Sequence, residues 1–159
     1  MTDERLSELE RRLERIEAER AIERIIASYG PLVDAGEADA AAQLWATDGS
    51  YDVEGWPMRS RDDVAAMVRS DAHQGLIGRG ASHFLGPAVV TVNGSDAVAV
   101  CESILLMHRG DGFIVARAGA NHFRLKFIDD RWQIVERTTR TLDGKPEARA
   151  LLASGVAGA

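Results

Sequence analysis

Between Ser82 and Thr141 the chain carries four long runs of apolar and polar alternation: Ser82 to Val92, Ala97 to His108, Phe113 to Phe127 and Trp132 to Thr141. Short turn signals separate them, namely Asn93-Gly94, Gly110-Asp111-Gly112 and Asp129-Asp130. A period of two turns one face of each strand toward a core, and connections this short join neighbours only as antiparallel hairpins, so the region predicts a meander. What precedes it is helical in character. Met1 to Ser28 is rich in Glu, Arg, Leu and Ile with neither Gly nor Pro, and Ala38 to Trp45 suits a second compact helix closed by Asp48-Gly49. Ser50 to Glu54 then alternates as a first strand, and Ser60 with Asp63 forms a capping signal for a helix carrying Val64, Met67 and Val68. Helices first and a long antiparallel sheet afterwards mean α+β, which excludes the βαβ alternation of a nucleotide-binding fold. Gly75, Gly78 and Gly80 predict a loop, and that loop lacks both the GK[ST] ending and the dinucleotide spacing of a phosphate cradle.

The N-terminal helix has two apolar stripes. Leu6, Leu9, Leu13 and Ile16 form one, and Ile22, Ile25, Ile26, Tyr29 and Val33 form the other. At 100° per residue their centres differ by roughly 150°, so one straight helix cannot bury both in one core. Either the first stripe docks on another copy of the chain, or a kink near Ala18 to Ala21 folds the arm back onto its own sheet. Pro31, after Gly30, removes a donor and predicts a bend or break there.

Composition narrows the function classes. The 159 residues, 45% of them hydrophobic, suit one domain with an ordinary core. The single cysteine, Cys101, excludes an internal disulfide and a Cys-rich zinc site. No stretch approaches the roughly 18 apolar residues of a membrane span, and the first residues are charged, so a cytoplasmic protein with no membrane partner is expected. The net charge of −6, without a concentrated basic surface, argues against nucleic acid. The histidines at 73, 83, 108 and 122 have no metal-ligand spacing, so neither metal nor other cofactor is expected. His122 alternates with Arg124 and Lys126, which suggests an exposed or interface face.

Several residues invite a chemical reading beside a structural one. His83 opens an apolar strand just after a Gly-rich stretch, where a pocket rim would lie. Asp34 ends the apolar Pro31-Leu32-Val33 stretch and either caps the turn at Ala35-Gly36 or serves a site. Tyr29 and Tyr51 lie in core-facing positions, yet each carries a hydroxyl that wants a partner.

The order of these residues resembles the SnoaL-like branch of the NTF2-like superfamily. The matching segments are Ile22-x-x-Ile25-Ile26-x-x-Tyr29-x-x-x-x-Asp34, Leu44-Trp45-Ala46-x-Asp48-Gly49, His83-Phe84-Leu85-Gly86 and Trp132-Gln133-Ile134-x-x-Arg137. The nearest resemblance is to cofactor-independent lyases such as scytalone dehydratase, bile-acid 7α-dehydratase and hexachlorocyclohexane dehydrochlorinase. It implies a cone in which a curved antiparallel sheet packs against N-terminal helices and encloses a pocket. It covers roughly Ala21 to Thr141, which divides the chain into an N-terminal helical arm (1–20), a SnoaL-like domain (21–142) and a C-terminal tail (143–159), and the Ala/Gly-rich composition of Ala148 to Ala159 predicts that this tail is loosely held. Carried over position by position, it implies an Asp34–His83 catalytic dyad, Tyr29 as a pocket acid or hydrogen-bond donor, and Tyr51, Arg137 and Glu102 as substrate-binding groups. The expected activity is a dehydratase-type elimination on a hydrophobic cyclic small molecule, by a homo-oligomer of two or three copies. The alternatives are an isomerase or cyclase of the same fold, or a noncatalytic small subunit like that of ring-hydroxylating dioxygenases.

The chemistry has a physical basis apart from the resemblance. Removing a proton next to a carbonyl or a leaving group needs a base near neutrality, which imidazole supplies. A carboxylate on the other ring nitrogen fixes the tautomer and stabilises the imidazolium.

Overall fold

A computed structural model describes residues 2–159. The N-terminal helix α1 (Asp3–Asp34) is followed by a short α2 (Ala38–Ala42), strands β1 (Trp45–Val53) and β2 (Trp56–Met58), and helices α3 (Arg61–Arg69) and α4 (Asp71–Gly78). Five strands come next, β3 (Ala81–Leu85), β4 (Val89–Asn93), β5 (Asp96–Arg109), β6 (Gly112–Ile128) and β7 (Arg131–Thr141), and α5 (Pro146–Val156) ends the chain. The sheet runs in the order β2-β1-β7-β6-β5-β3, with β4 also paired to β5. All pairings are antiparallel except that of β1 with β7. This is the α+β arrangement expected from the resemblance, a curved, unclosed sheet packed against N-terminal helices. The core lies between them, on Ile22, Ile26, Val33, Trp45, Val64, Val68, Phe123 and Ile134. Among the described residues no helix is long and apolar enough to cross a membrane.

The structure corrects several local readings. Pro31 does not break α1. Pro31 and Ala27, the residue whose carbonyl loses its partner, are both exposed, so the missing bond falls on the outer face of the helix, which continues to Asp34. The helix is continuous through Ala18 to Ala21, and the arm does not fold back onto its own sheet, since Leu6, Leu9, Leu13 and Ile16 stay exposed. The Gly75 to Gly80 region is mostly the helix α4, started by Ser70, whose Oγ accepts from the His73 backbone N–H. The second helix is shorter than expected and β1 begins at Trp45. Its pairing with β7 shifts between Trp45 and Ser50, and the Arg61 guanidinium holds the Trp45 carbonyl at 2.7 and 2.9 Å. The predicted Ser82 to Val92 strand divides at Gly86-Pro87-Ala88 into β3 and β4, which pair with successive parts of β5.

The C-terminal segment is not loosely held. Helix α5 starts with Pro146 at its first turn, where a missing donor is harmless, and covers the outer face of β5 and β6. It approaches so closely that a Cβ on Gly155 would lie 2.5 Å from the Val100 Cβ. His122 is buried beneath this segment, its Nε2 2.7 Å from the Ala159 backbone oxygen, which corrects the expectation of an exposed position.

Candidate active site

Asp34 and His83 are joined twice. Oδ1 of Asp34 lies 2.6 Å from His83 Nδ1, and Oδ2 accepts from the His83 backbone N–H at 2.8 Å. Two elements make this possible. Asp34 is the last residue of α1, and β3 runs against that helix because Gly30, one turn earlier, has no side chain to hold it off. A carboxylate at a helix C-terminus meets the negative end of the dipole, and the two His83 donors offset that cost. An ionised carboxylate only accepts, so the proton of the neutral ring lies on Nδ1 and the Nε2 lone pair is left for chemistry.

His83 stands on the wall of a cavity of about 200 Å³ between the sheet and the helices α1, α3 and α4. Tyr29, Tyr51 and Arg137 share that wall with it. Arg137 is 2% exposed, and its guanidinium carbon lies 4.2 Å from the Tyr29 ring centroid, 4.4 Å from that of Tyr51 and 5.0 Å from that of Phe123. Its Nη2 donates to Asn121 Oδ1 at 2.7 Å, while Nε and Nη1 are buried with no hydrogen-bond partner, so the aromatic faces are the neighbours that stabilise the cation. Asn121 also accepts from Thr139 Oγ1 and donates to Ser103 Oγ, so a buried polar network backs the two tyrosines. Burial, followed by the neighbouring Tyr51, pushes the Tyr29 phenol far above its ordinary range. It therefore stays protonated and offers a buried donor.

Glu102 is not part of this site. It is exposed and absent from the cavity wall, because alternation along β5 turns Ser103 and Leu105 inward and Glu102 outward. Cys101 is buried, and burial pushes its thiol up to about 11, too high for a nucleophile at neutral pH. The wall also holds two cationic or titratable side chains, Arg117 and His73, that the sequence reading did not assign to the site. Arg117 brings a second cation from β6, and His73 on α4 stacks on His83 with centroids 5.4 Å apart and planes at 26°. Among the described residues no three His, Cys, Asp or Glu side chains gather as a metal site would require.

The sequence pattern of the SnoaL-like domain matches residues 14–138. Among solved structures, an NTF2-like protein with a cystatin-like fold from Novosphingobium aromaticivorans is 39% identical, with a TM-score of 0.90 over 92% of this chain and 96% of that one. A protein of unknown function from Mycobacterium tuberculosis is 22% identical, with a TM-score of 0.73 over 94% of this chain and 88% of its own. A scytalone dehydratase-like protein from Novosphingobium aromaticivorans is 21% identical, with a TM-score of 0.63 over 89% of this chain and 88% of its own. The last two likenesses concern the fold alone. No curated protein matches the chain.

Proposed function

This chain belongs to the SnoaL-like family, and from that premise we propose that it is a cofactor-independent lyase of the dehydratase type, acting on a compact hydrophobic cyclic substrate. The fold does not choose the reaction, since one scaffold of this kind serves many sites. The observation that carries the reading is the 2.6 Å Asp34–His83 contact on the wall of a cavity. A histidine kept only for packing has no need of a carboxylate on Nδ1 and an open volume beside its ring.

His83 Nε2 takes a proton from a carbon next to a carbonyl. The electrons of that C–H bond form the new double bond as the C–O bond to the leaving hydroxyl breaks. Asp34 stabilises the imidazolium meanwhile, and the imidazolium returns its proton to the departing hydroxide, which leaves as water. General-base participation of this kind contributes about 10² to 10⁴ in rate. Tyr29 donates to the enolate-like oxygen, and Arg137 sets a positive potential behind it, with Tyr51 held at the same wall. The cavity of about 200 Å³ is smaller than pockets for drug-sized ligands, which supports a reacting portion of one or two rings.

Cyclic β-hydroxy ketones incubated with the protein and followed by mass spectrometry test the proposal. Loss of one water, abolished in His83→Ala, is the expected result. A product of unchanged mass made through the same dyad points to isomerisation and overturns the lyase reading. The reading includes a homo-oligomer, because the arm of α1 carries an apolar seam that its own domain does not cover.

A further inference from the structure

We propose that His73 is a substrate-contacting, specificity-determining residue, and that the substrate presents a hydroxyl group to its Nε2 beside the carbon that His83 deprotonates. Deprotonation by His83 rests on the lyase reading, whereas the contact itself rests on the geometry of His73. That residue is 9% exposed, lines the same cavity as His83, and stacks on its ring. Its Nε2 is buried and has no hydrogen-bond partner. A buried polar atom left unpaired loses its hydration without return, so such atoms are rare in folded proteins and concentrate where a ligand completes them. His73 is also held in place independently of any ligand, because Ser70 caps the first turn of α4 through the His73 backbone N–H.

The chemistry of the partner follows from the ring. Burial pushes the His73 imidazole below its ordinary range, and the neighbouring His83 pushes the same way. That direction favours the neutral ring at His73, and the two stacked rings divide their roles: His83 with its carboxylate moves protons, and His73 recognises. A neutral imidazole nitrogen either donates or accepts, depending on the tautomer. A hydroxyl pairs with it in both cases, whereas a carbonyl or an ether oxygen pairs in only one.

Matched ligands that differ at one group test this: naphthol against methylnaphthalene, and hydroxytetralone against tetralone. Each is titrated by amide NMR into the wild type, His73→Phe and His73→Gln. The phenylalanine keeps the stack on His83 and removes both nitrogens, while the glutamine restores a polar partner. The hydroxylated member of each pair should bind the wild type about tenfold more tightly. That preference should vanish in His73→Phe and return at least in part in His73→Gln. Equal binding within both pairs, a preference that survives in His73→Phe, or no binding by either pair overturns the assignment. A preference as expected, in a protein that dehydrates nothing, overturns the lyase reading and leaves the His73 contact standing.

Discussion

Gly30 touches His83 through the backbone: a Cβ built on Gly30 would come within 2.0 Å of the His83 carbonyl oxygen. That approach sets where the C-terminal turn of α1 meets β3, and so brings Asp34 to the His83 ring. Alanine in place of a helical glycine usually stabilises by about 1 kcal/mol. At position 30 the sign reverses, because backbone, unlike the end of a flexible side chain, cannot swing away. Gly30→Ala should destabilise by about 1 to 3 kcal/mol in urea unfolding and remove turnover together with stability. A variant as stable as the wild type would show that the α1–β3 contact has slack.

Asp34→Asn keeps an acceptor for the His83 backbone N–H and removes the charge. The amide nitrogen can face Nδ1 only as a donor, which drives the ring to the wrong tautomer. Turnover should fall by roughly three to four orders of magnitude. The melting temperature should stay within a few degrees of the wild type. Wild-type rates in this variant would show that the carboxylate only ties α1 to β3.

Stability should decline as pH falls below the ordinary histidine range, and His73 should carry part of that slope. Its folded pKa lies below the ordinary value of 6.5, because of burial first and then His83. Below that value the unfolded chain binds the proton more readily than the folded one, so stability is fully present above it and is lost as pH falls toward the folded pKa. Denaturant midpoints compared between neutral pH and about pH 5.5 read the effect, well above where Asp52, held low by Arg140, begins to titrate. The decline should be shallower in His73→Phe. Identical slopes in the two proteins would refute the assignment.

Because the base and its orienting carboxylate both come from the chain, turnover should survive dialysis against EDTA. A rate that is lost and then returns with zinc or magnesium would contradict the proposed mechanism.

The parts of this molecule legible in the sequence are those set by local periodicity. Strands β5, β6 and β7 follow from alternation and short turns, and the two stripes of α1 follow from helical spacing. What was hidden depends on contacts between distant segments. Pro31 reads locally as a helix breaker, and only the exposure of Ala27 and the docking of β3 on Gly30 explain why the helix continues. His73 stands in the first turn of α4, a helix whose glycines at 75 and 78 read locally as a loop, although Ser70 is a usable N-cap signal. His122 has the alternation of an outward-facing residue, and it does face outward from the sheet, where α5 then covers it. That helix gave little signal, since its contact with the sheet relies on small residues such as Ala148 and Gly155. Asn121, fully buried on the inward side of β6, was a polar residue at a core position and could have marked the Arg137 network.

The arm of α1 carries the remaining prediction. Ile22, Ile26, Tyr29 and Val33 are buried in the domain, while Leu6, Leu9, Leu13 and Ile16 are 43% to 56% exposed on the same continuous helix. The two stripes point apart, as 100° per residue requires, so the domain that buries one cannot reach the other. Full burial of such side chains is worth roughly 1.5 to 3 kcal/mol each, and a second copy of the chain offers an identical seam against which to gain it. Size-exclusion chromatography with light scattering should therefore report an oligomer for the full chain and a shift toward monomer when residues 2–19 are removed. The double substitution Leu9→Glu with Leu13→Glu should give the same shift while leaving the helix and its buried stripe intact. An unchanged subunit number in both variants would place the interface elsewhere and leave the seam without a role in assembly.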